Sequence, residues 1–328
     1  MCWSRFSCTS LPRWAGDSAW VAPVGSTLGL VAVSKRVHPF EEIVIRGTLI
    51  LVAALIVPAA VPAQRVLSDV PYIPGAGTAQ QLDLYLPSGR GFPTLVFVHG
   101  GGLTGEDKRD DSIPAVCRTL ASSGVACASV NYRLGPTPRW PAQPEDVAAA
   151  IAWVRRHIAE QGGDSTKLVL GGHSSGCMLV SILGTDSRYL ATQHLGLGDI
   201  RGVVSMGCTL SPVMPAISDS LRLRAVFTSG ALSTMGSLET FVDVNPTAHV
   251  SAETPPFLVL VAESEQVNPP ILERANLFAG KMREAGRTAD IHVLPDRKHY
   301  TALSEMRNSD DPNLAILLRF IRRVAGSR

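Results

Sequence analysis

A serine flanked by glycines is the first feature of this sequence that could do chemistry. An apolar run at 168–170 ends at a glycine pair, and residues 172–176 spell Gly-His-Ser-Ser-Gly. Glycine at both ends of this stretch permits a sharp turn from a strand into a helix, which would expose the Ser174 hydroxyl. The turn would also bring the Ser175 N–H close to that hydroxyl. The spacing therefore predicts a nucleophilic serine at position 174.

A second stretch with catalytic chemistry lies about seventy residues upstream. Residues 93–98 form a continuous apolar run, which predicts a buried strand, and His-Gly-Gly-Gly follows at 99–102. Successive glycines let the backbone approach a ligand closely and leave N–H groups free to donate. Such donors stabilise the negative charge that develops on a carbonyl oxygen during acyl transfer. We expect an oxyanion hole formed by the N–H groups of Gly101, Gly102 and Ser175.

The elements that must position these residues follow an α/β pattern. From Gln64 onward, apolar runs alternate with helix-like stretches, which is typical of a mainly parallel sheet. Predicted strands lie at 70–73, 81–86, 93–98, 125–130, 168–170, 201–206, 257–261 and 290–294, and predicted helices at 111–123, 145–161, 177–183, 271–285 and 313–324. Neighbouring parallel strands end at the same edge of a sheet, so the glycine loop and Ser174 are expected to meet there.

These motifs resemble those of a known enzyme family. His99 to Gly102, followed by Gly105 and Lys108, is similar to the oxyanion loop of α/β-hydrolase esterases of the hormone-sensitive-lipase, acetyl-esterase and feruloyl-esterase-like kind. The resemblance covers nearly all of residues 66–324. It implies the α/β-hydrolase fold, with a mainly parallel eight-stranded sheet flanked by helices. It also implies a small lid at about 209–254. Many relatives carry Trp at the position of Leu103, so the shape of the acyl or alcohol pocket is expected to differ from theirs.

The same resemblance implies a triad in the chain order serine, acid, histidine. His299 lies just beyond the last predicted strand and is the expected base. Glu265, in the loop after the strand at 257–261, matches the position of the acid, where relatives often carry Asp. Glu263 in the same loop is the alternative. Structural support is expected from His99, Gly100, Gly172 and Gly176, and structural roles rather than catalytic ones from Arg133, Asp146 and the other histidines, including His173.

Composition excludes some functions. The net charge is +2, and no basic block alternates with aromatic residues, so nothing indicates binding to nucleic acid. No zinc spacing or other cluster of metal ligands is found in the sequence, and we expect no metal and no organic cofactor. Four cysteines lie in the predicted catalytic domain, in apolar surroundings that favour buried free thiols. A bridge between Cys117 and Cys127 is the alternative.

The first 63 residues predict a leader. Residues 1–42 show no sustained period, whereas 47–57 are almost wholly apolar and are followed by small residues. This order is typical of a secretory signal peptide, here at about 44–63 with cleavage after Ala63. The catalytic domain would then be 64–328, secreted or periplasmic.

Two features of the leader leave alternatives. Met1 is the only methionine before Met178, so we expect translation to begin near Val44 and residues before it to be an artefact of the start assignment. An uncleaved segment at 47–63 would instead anchor the enzyme to a membrane. Without that anchor, no stable membrane partner is expected.

Together the residues predict a serine carboxylic ester hydrolase acting on short-chain, aryl or acetyl esters, either small molecules or polymer-borne. Ser174 would form an acyl-enzyme, His299 would move the proton, and Glu265 would orient the imidazole. Two other classes remain open: an amidase, arylformamidase or peptidase with the same triad, and a binding protein on a hydrolase scaffold. The sequence does not indicate an oligomeric state.

Overall fold

A computed structural model describes residues 64–110, 112–211, 230–266 and 270–326. The predicted leader at 1–63 lies outside the described residues, as do residues 212–229 of the predicted lid. All described residues belong to the second of two units into which the chain divides, Val57–Arg328.

The described chain is built around one eight-stranded sheet. Its strands are β1 (Arg65–Pro71), β2 (Gln81–Leu86), β3 (Phe92–Val98), β4 (Ala126–Val130), β5 (Gly163–His173), β6 (Gly202–Met206), β7 (Phe257–Ala262) and β8 (Ala289–Leu294), in the order β1-β2-β4-β3-β5-β6-β7-β8. The pairs β1–β2 and β2–β4 are antiparallel, and the others are parallel. The predicted α/β-hydrolase sheet is therefore confirmed.

Helices cover both faces of the sheet. They are α1 (Ile113–Ser122), α2 (Ala142–His157), α3 (Ser175–Leu183), α4 (Ser187–Ala191), α5 (Gly230–Met235), α6 (Leu238–Asp243), α7 (Ile271–Glu284), α8 (Thr301–Ser304) and α9 (Pro312–Gly326). Helix α2 begins three residues before the predicted start, because Pro144 falls in its first turn, where no intrahelical N–H bond is lost. The described part of the predicted lid segment contains α5, α6 and a 3₁₀ turn at Pro246–His249.

Two core clusters lie on opposite faces of the sheet. The larger one includes residues of α2, α3 and α7, such as Ile151, Leu179 and Phe278, and the smaller one includes residues of α1 and α9, such as Leu120 and Ile321. Because both faces are covered, the central strands are buried on each side and consist of continuous apolar runs rather than alternating ones. The apolar runs were for this reason visible in the sequence.

Two disulfides cross-link the domain. Cys117 of α1 is bonded to Cys127 of β4, and Cys177 of α3 is bonded to Cys208, just after β6. The expectation of buried free thiols is therefore wrong, and the alternative Cys117–Cys127 bridge is present. Cys177 and Cys208 are 31 residues apart, so their pairing depends on β5 and β6 being neighbours in the sheet.

None of the helices in the described residues is long and apolar enough to span a membrane.

Candidate active site

The turn between β5 and α3 carries Ser174. Its backbone has a φ of +54°, in the left-handed region that non-glycine residues rarely adopt. Side chains at the flanking glycines would collide with backbone: a Cβ at Gly172 would lie 2.3 Å from the Gly176 carbonyl oxygen, and a Cβ at Gly176 would lie 2.1 Å from that of Val98. The Ser174 N–H donates to the carbonyl of Met206, 2.9 Å away. This close-packed, strained turn places the serine at the N-terminal end of α3, as a nucleophile elbow requires.

The glycine loop after β3 is equally constrained. Gly101 and Gly102 have φ values of +83° and +62°, and a Cβ on Gly101 would lie 2.2 Å from the carbonyl oxygen of Gly105. The Tyr132 hydroxyl donates to the Gly100 carbonyl oxygen at 2.9 Å, and the Tyr132 ring stacks on that of His99 with centroids 4.5 Å apart. Tyr132 therefore holds the glycine loop in place, through contacts that the sequence did not predict.

The glycine loop lies directly against the elbow. A Cβ on Gly100 would lie 3.1 Å from the Cβ of Ser174. The Leu103 N–H donates to the Ser175 hydroxyl oxygen at 3.2 Å, so the side chain of Ser175 connects the two motifs. The structure thus brings together the stretches that carry the predicted oxyanion donors Gly101, Gly102 and Ser175. Leu103 itself is fully buried in the larger core cluster.

The loop after β8 brings His299 to the loop after β7. Nδ1 of His299 is hydrogen-bonded to Oε1 of Glu265, whose side chain is 5% exposed. The other carboxylate oxygen of Glu265 accepts the Ala262 N–H at 3.1 Å. An anionic, buried carboxylate at Nδ1 favours the tautomer that carries its proton there, which leaves Nε2 free to accept one.

The alternative acid points elsewhere. Glu263 is exposed and its Oε2 accepts the N–H of Asp296 at 2.8 Å. Both glutamates belong to one 3₁₀ turn, Glu263–Glu265, in which residues two apart point in different directions. The structure therefore brings Glu265, and not Glu263, to His299.

His173 contributes to the site in a way that sequence reasoning missed. Its ring centroid lies 4.5 Å from that of His299, and its Nε2 lies 2.9 Å from the His299 carbonyl oxygen. Burial lowers the pKa of His173 to about 4, with the neighbouring His299 acting in the same direction. The ring is therefore neutral at pH 7, and Nε2 must carry its proton to donate to that carbonyl. The one available signal was its position next to Ser174.

Ion pairs fix the outer side of the glycine loop. The Lys108 ammonium is buried and lies 2.8 Å from a carboxylate oxygen of Asp69 and 3.4 Å from one of Asp83. Arg133 and Asp146 pair with each other at 2.8 Å, which is consistent with their expected structural role. A cleft of about 330 Å³ opens beside the elbow and is lined by Glu106, Asp110, Ser112, Ile113, His173, Tyr300, Leu303, Ser304 and Arg307. No group of metal-ligating side chains was found among the described residues.

Comparison with known proteins gives consistent results. The family model BD-FAE matches residues 82–200. Esterase LipQ of Mycobacterium tuberculosis is 32% identical over 252 residues, which are 71% of this chain and 56% of LipQ. The probable carboxylic ester hydrolase LipM of the same organism is 27% identical over 223 residues, 63% of this chain and 49% of LipM. The chain thus spans about half the length of these curated relatives.

Solved structures show the same fold at low identity. A truncated carbohydrate esterase from gut microbiota has a TM-score of 0.63 at 19% identity and covers 80% of this chain and 97% of its own. Esterase B from Lactobacillus Rhamnosis has a TM-score of 0.62 at 22% identity and covers 80% of this chain, with 86% of its own length matched. The fold and the motifs agree with these comparisons: the chain has the α/β-hydrolase fold and is similar in sequence to curated esterases and carboxylic ester hydrolases.

Proposed function

We propose that this chain is a serine carboxylic ester hydrolase that forms a covalent acyl-enzyme on Ser174. The observation that carries the proposal is the hydrogen bond from Nδ1 of the half-buried His299 to the buried carboxylate of Glu265, at the sheet edge where the strained elbow presents Ser174. A serine hydroxyl is a weak nucleophile until a positioned base accepts its proton. His299 is the base in this proposal, and Glu265 stabilises the imidazolium that forms.

The proposed reaction has two half-reactions. Ser174 attacks the ester carbonyl while Nε2 of His299 takes its proton, and the imidazolium then protonates the leaving alcohol. In the second half, His299 deprotonates a water molecule that hydrolyses the acyl-enzyme. The N–H groups of Gly101, Gly102 and Ser175 stabilise the oxyanion in both halves. The hydrogen bonds from Tyr132 and Leu103 support these donors, since they fix the loop relative to the elbow.

We propose short-chain, aryl or acetyl esters as the substrates. The support is the resemblance of the glycine loop and of residues 82–200 to esterases of the acetyl-esterase and feruloyl-esterase-like kind. A series of p-nitrophenyl esters from acetate to palmitate, run beside acetylated sugars and feruloyl esters, tests this. Preference for long acyl chains would overturn it. Parallel p-nitroanilide substrates test the amidase alternative.

Labelling with a fluorophosphonate tests the mechanism. The wild-type protein should be labelled on Ser174, as located by peptide mass spectrometry, and should lose ester turnover as labelling proceeds. Ser174→Ala should retain its melting temperature and lose both labelling and turnover, down to the residual rate of the oxyanion hole. Undiminished hydrolysis by Ser174→Ala would overturn the mechanism, and absence of both labelling and turnover in the wild type would favour a binding protein.

Export is part of the proposal. Two disulfides within the domain support an oxidising compartment, because cytosolic proteins rarely keep such bonds. N-terminal sequencing of the exported protein should give a mature chain that begins at Gln64. A mature chain beginning within residues 2–42 would contradict the predicted leader, and retention in the membrane pellet after a carbonate wash would indicate an uncleaved anchor.

A further inference from the structure

The last residue of β6 and the turn that follows it are together in contact with all three members of the proposed triad. The carbonyl of Met206 accepts the N–H of Ser174 at 2.9 Å. Gly207 has a φ of +70°, and a Cβ there would lie 3.1 Å from Nδ1 and Cε1 of His299 and 3.3 Å from Oε1 of Glu265. The backbone of Gly207 is therefore the surface against which the hydrogen-bonded imidazole and carboxylate pack.

The next residue in this turn is covalently bonded to the helix that begins at the nucleophile. Cys208 forms a disulfide with Cys177, with Cα atoms 5.8 Å apart. Cys177 is fully buried in the first turn of α3, three residues after Ser174. One covalent link thus joins the helix that presents the nucleophile to the turn that supports the base and the acid.

The sheet does not hold this turn by itself. The ladder between β5 and β6 ends at the pair His173 and Met206, so Gly207 and Cys208 lie beyond its last rung. Beyond the ladder, the N–H of Gly207 donates to the carbonyl of Leu260 across a long 3.3 Å. The disulfide is a second restraint on the turn, from the side of the nucleophile helix.

We propose that the Cys177–Cys208 disulfide is a positioning device for catalysis, which holds Gly207 against His299 and Glu265 at a fixed distance from Ser174. Neither cysteine touches the reacting atoms, and both act through the turn. The inference rests on the proposed ester hydrolase function. Misplacement of catalytic groups by about 1 Å can cost on the order of 10²-fold in rate, so release of the turn should be visible in kcat.

The second disulfide provides a matched control. Cys117–Cys127 also joins a helix to the sheet, but it lies in the smaller core cluster and connects α1 to β4. We compare Cys177→Ala/Cys208→Ala with Cys117→Ala/Cys127→Ala, at a temperature well below the melting temperature of both. Both double variants should melt below the wild type. Only the first should lose kcat, by at least about tenfold with KM nearly unchanged, and its fluorophosphonate labelling rate should fall in parallel.

A second measurement covers the case in which the first variant does not fold. The folded Cys117→Ala/Cys127→Ala protein keeps Cys177–Cys208 as its one disulfide among the described residues. Treatment with a phosphine reductant, followed by alkylation and peptide mass spectrometry, gives the fraction reduced at that bond. Activity, measured before alkylation, should decrease in proportion to this fraction, and in an aliquot that is not alkylated it should return once the reductant is removed and glutathione disulfide reoxidises the two thiols.

The outcomes separate the two proposals. A kcat within twofold of the wild type after loss of Cys177–Cys208 would overturn the positioning role, as would equal losses of kcat in both double variants. In either case the wild type would still be labelled and active. A wild type with neither labelling nor turnover would instead overturn the proposed function.

Discussion

Replacing Glu265 with glutamine should lower kcat while leaving the fold and KM nearly unchanged. The side chains have the same length, and the glutamine carbonyl oxygen can still accept the Ala262 N–H that Glu265 accepts at 3.1 Å. The change falls on the other contact, the hydrogen bond from Nδ1 of His299. With its carbonyl held by Ala262, the amide directs an NH₂ group at Nδ1, which must then accept rather than donate. The imidazole proton then lies on Nε2, the atom that must be unprotonated to accept the proton of Ser174.

The size of the effect follows from two losses. A hydrogen bond to a charged group contributes about 1.5–3 kcal/mol, and the substitution replaces it with a weaker bond between neutral groups at a side chain that is 5% exposed, where water does not compensate. The wrong tautomer and the unsupported imidazolium add to this in the transition state. Together they correspond to about 4–5 kcal/mol, a decrease of about 10³–10⁴-fold in kcat.

Glu263→Gln is the matched control, two residues away in the same 3₁₀ turn. Its exposed side chain accepts the Asp296 N–H at 2.8 Å, which the amide oxygen can also do, so kcat should stay within about threefold. Both variants are measured with p-nitrophenyl acetate under saturating conditions, beside thermal melts. Equal effects of the two substitutions, or a larger effect of Glu263→Gln, would refute the assignment of the acid from this geometry.

Two further predictions concern the predicted oxyanion loop and the pH dependence of the free energy of unfolding. Tyr132→Phe removes the hydroxyl that donates to the Gly100 carbonyl and keeps the ring stacked on His99. The value of kcat for p-nitrophenyl acetate should therefore fall about tenfold, with KM little changed. An unchanged kcat would show that the glycine loop keeps its conformation without this hydrogen bond. Burial lowers the pKa of both His99 and His173 to about 4 from 6.5, so the unfolded state binds more protons between these values. The free energy of unfolding in urea should therefore fall as pH decreases from 6.5 to 4, by up to about 3 kcal/mol per histidine, and His173→Gln should remove about half of the fall. A wild-type curve that is flat across this window would contradict the argument.

The strands of the sheet could be predicted from the sequence because burial on both faces leaves a local pattern in the residue types. Strands covered on both faces are continuous apolar runs, and glycines mark the sharp turns at their ends. Strand bounds were less accurate where pairing rather than composition sets them. Strand β5 runs from Gly163 to His173, well beyond the predicted 168–170, because its ladders with β3 and β6 extend through the glycines.

Other features could not be predicted because they depend on contacts between distant segments. The residues alone left Glu263 and Glu265 open, and the preference for Glu265 came from the resemblance to esterases, because residue type says nothing about the direction of each side chain in a 3₁₀ turn. The pairing of Cys177 with Cys208 requires two neighbouring strands that are assigned only by the topology. The contact of His173 with His299 joins residues 126 apart in the chain.

Positive φ angles at the site could be predicted from the sequence at glycines but not at other residues. Glycine marks the left-handed positions at 101, 102 and 207, and there the sequence shows where the chain can turn. Ser174, Leu103 and Glu106 also have positive φ values, of 54°, 66° and 64°, yet their residue types disfavour that conformation. Such strain persists only when surrounding contacts over-determine it. At Ser174 those contacts include the Met206 carbonyl and the backbone around both flanking glycines, so the conformation of the proposed nucleophile is a property of the assembled core. Perturbations that loosen β6 or the turn after it should therefore relax the elbow, and lower activity, before they unfold the domain.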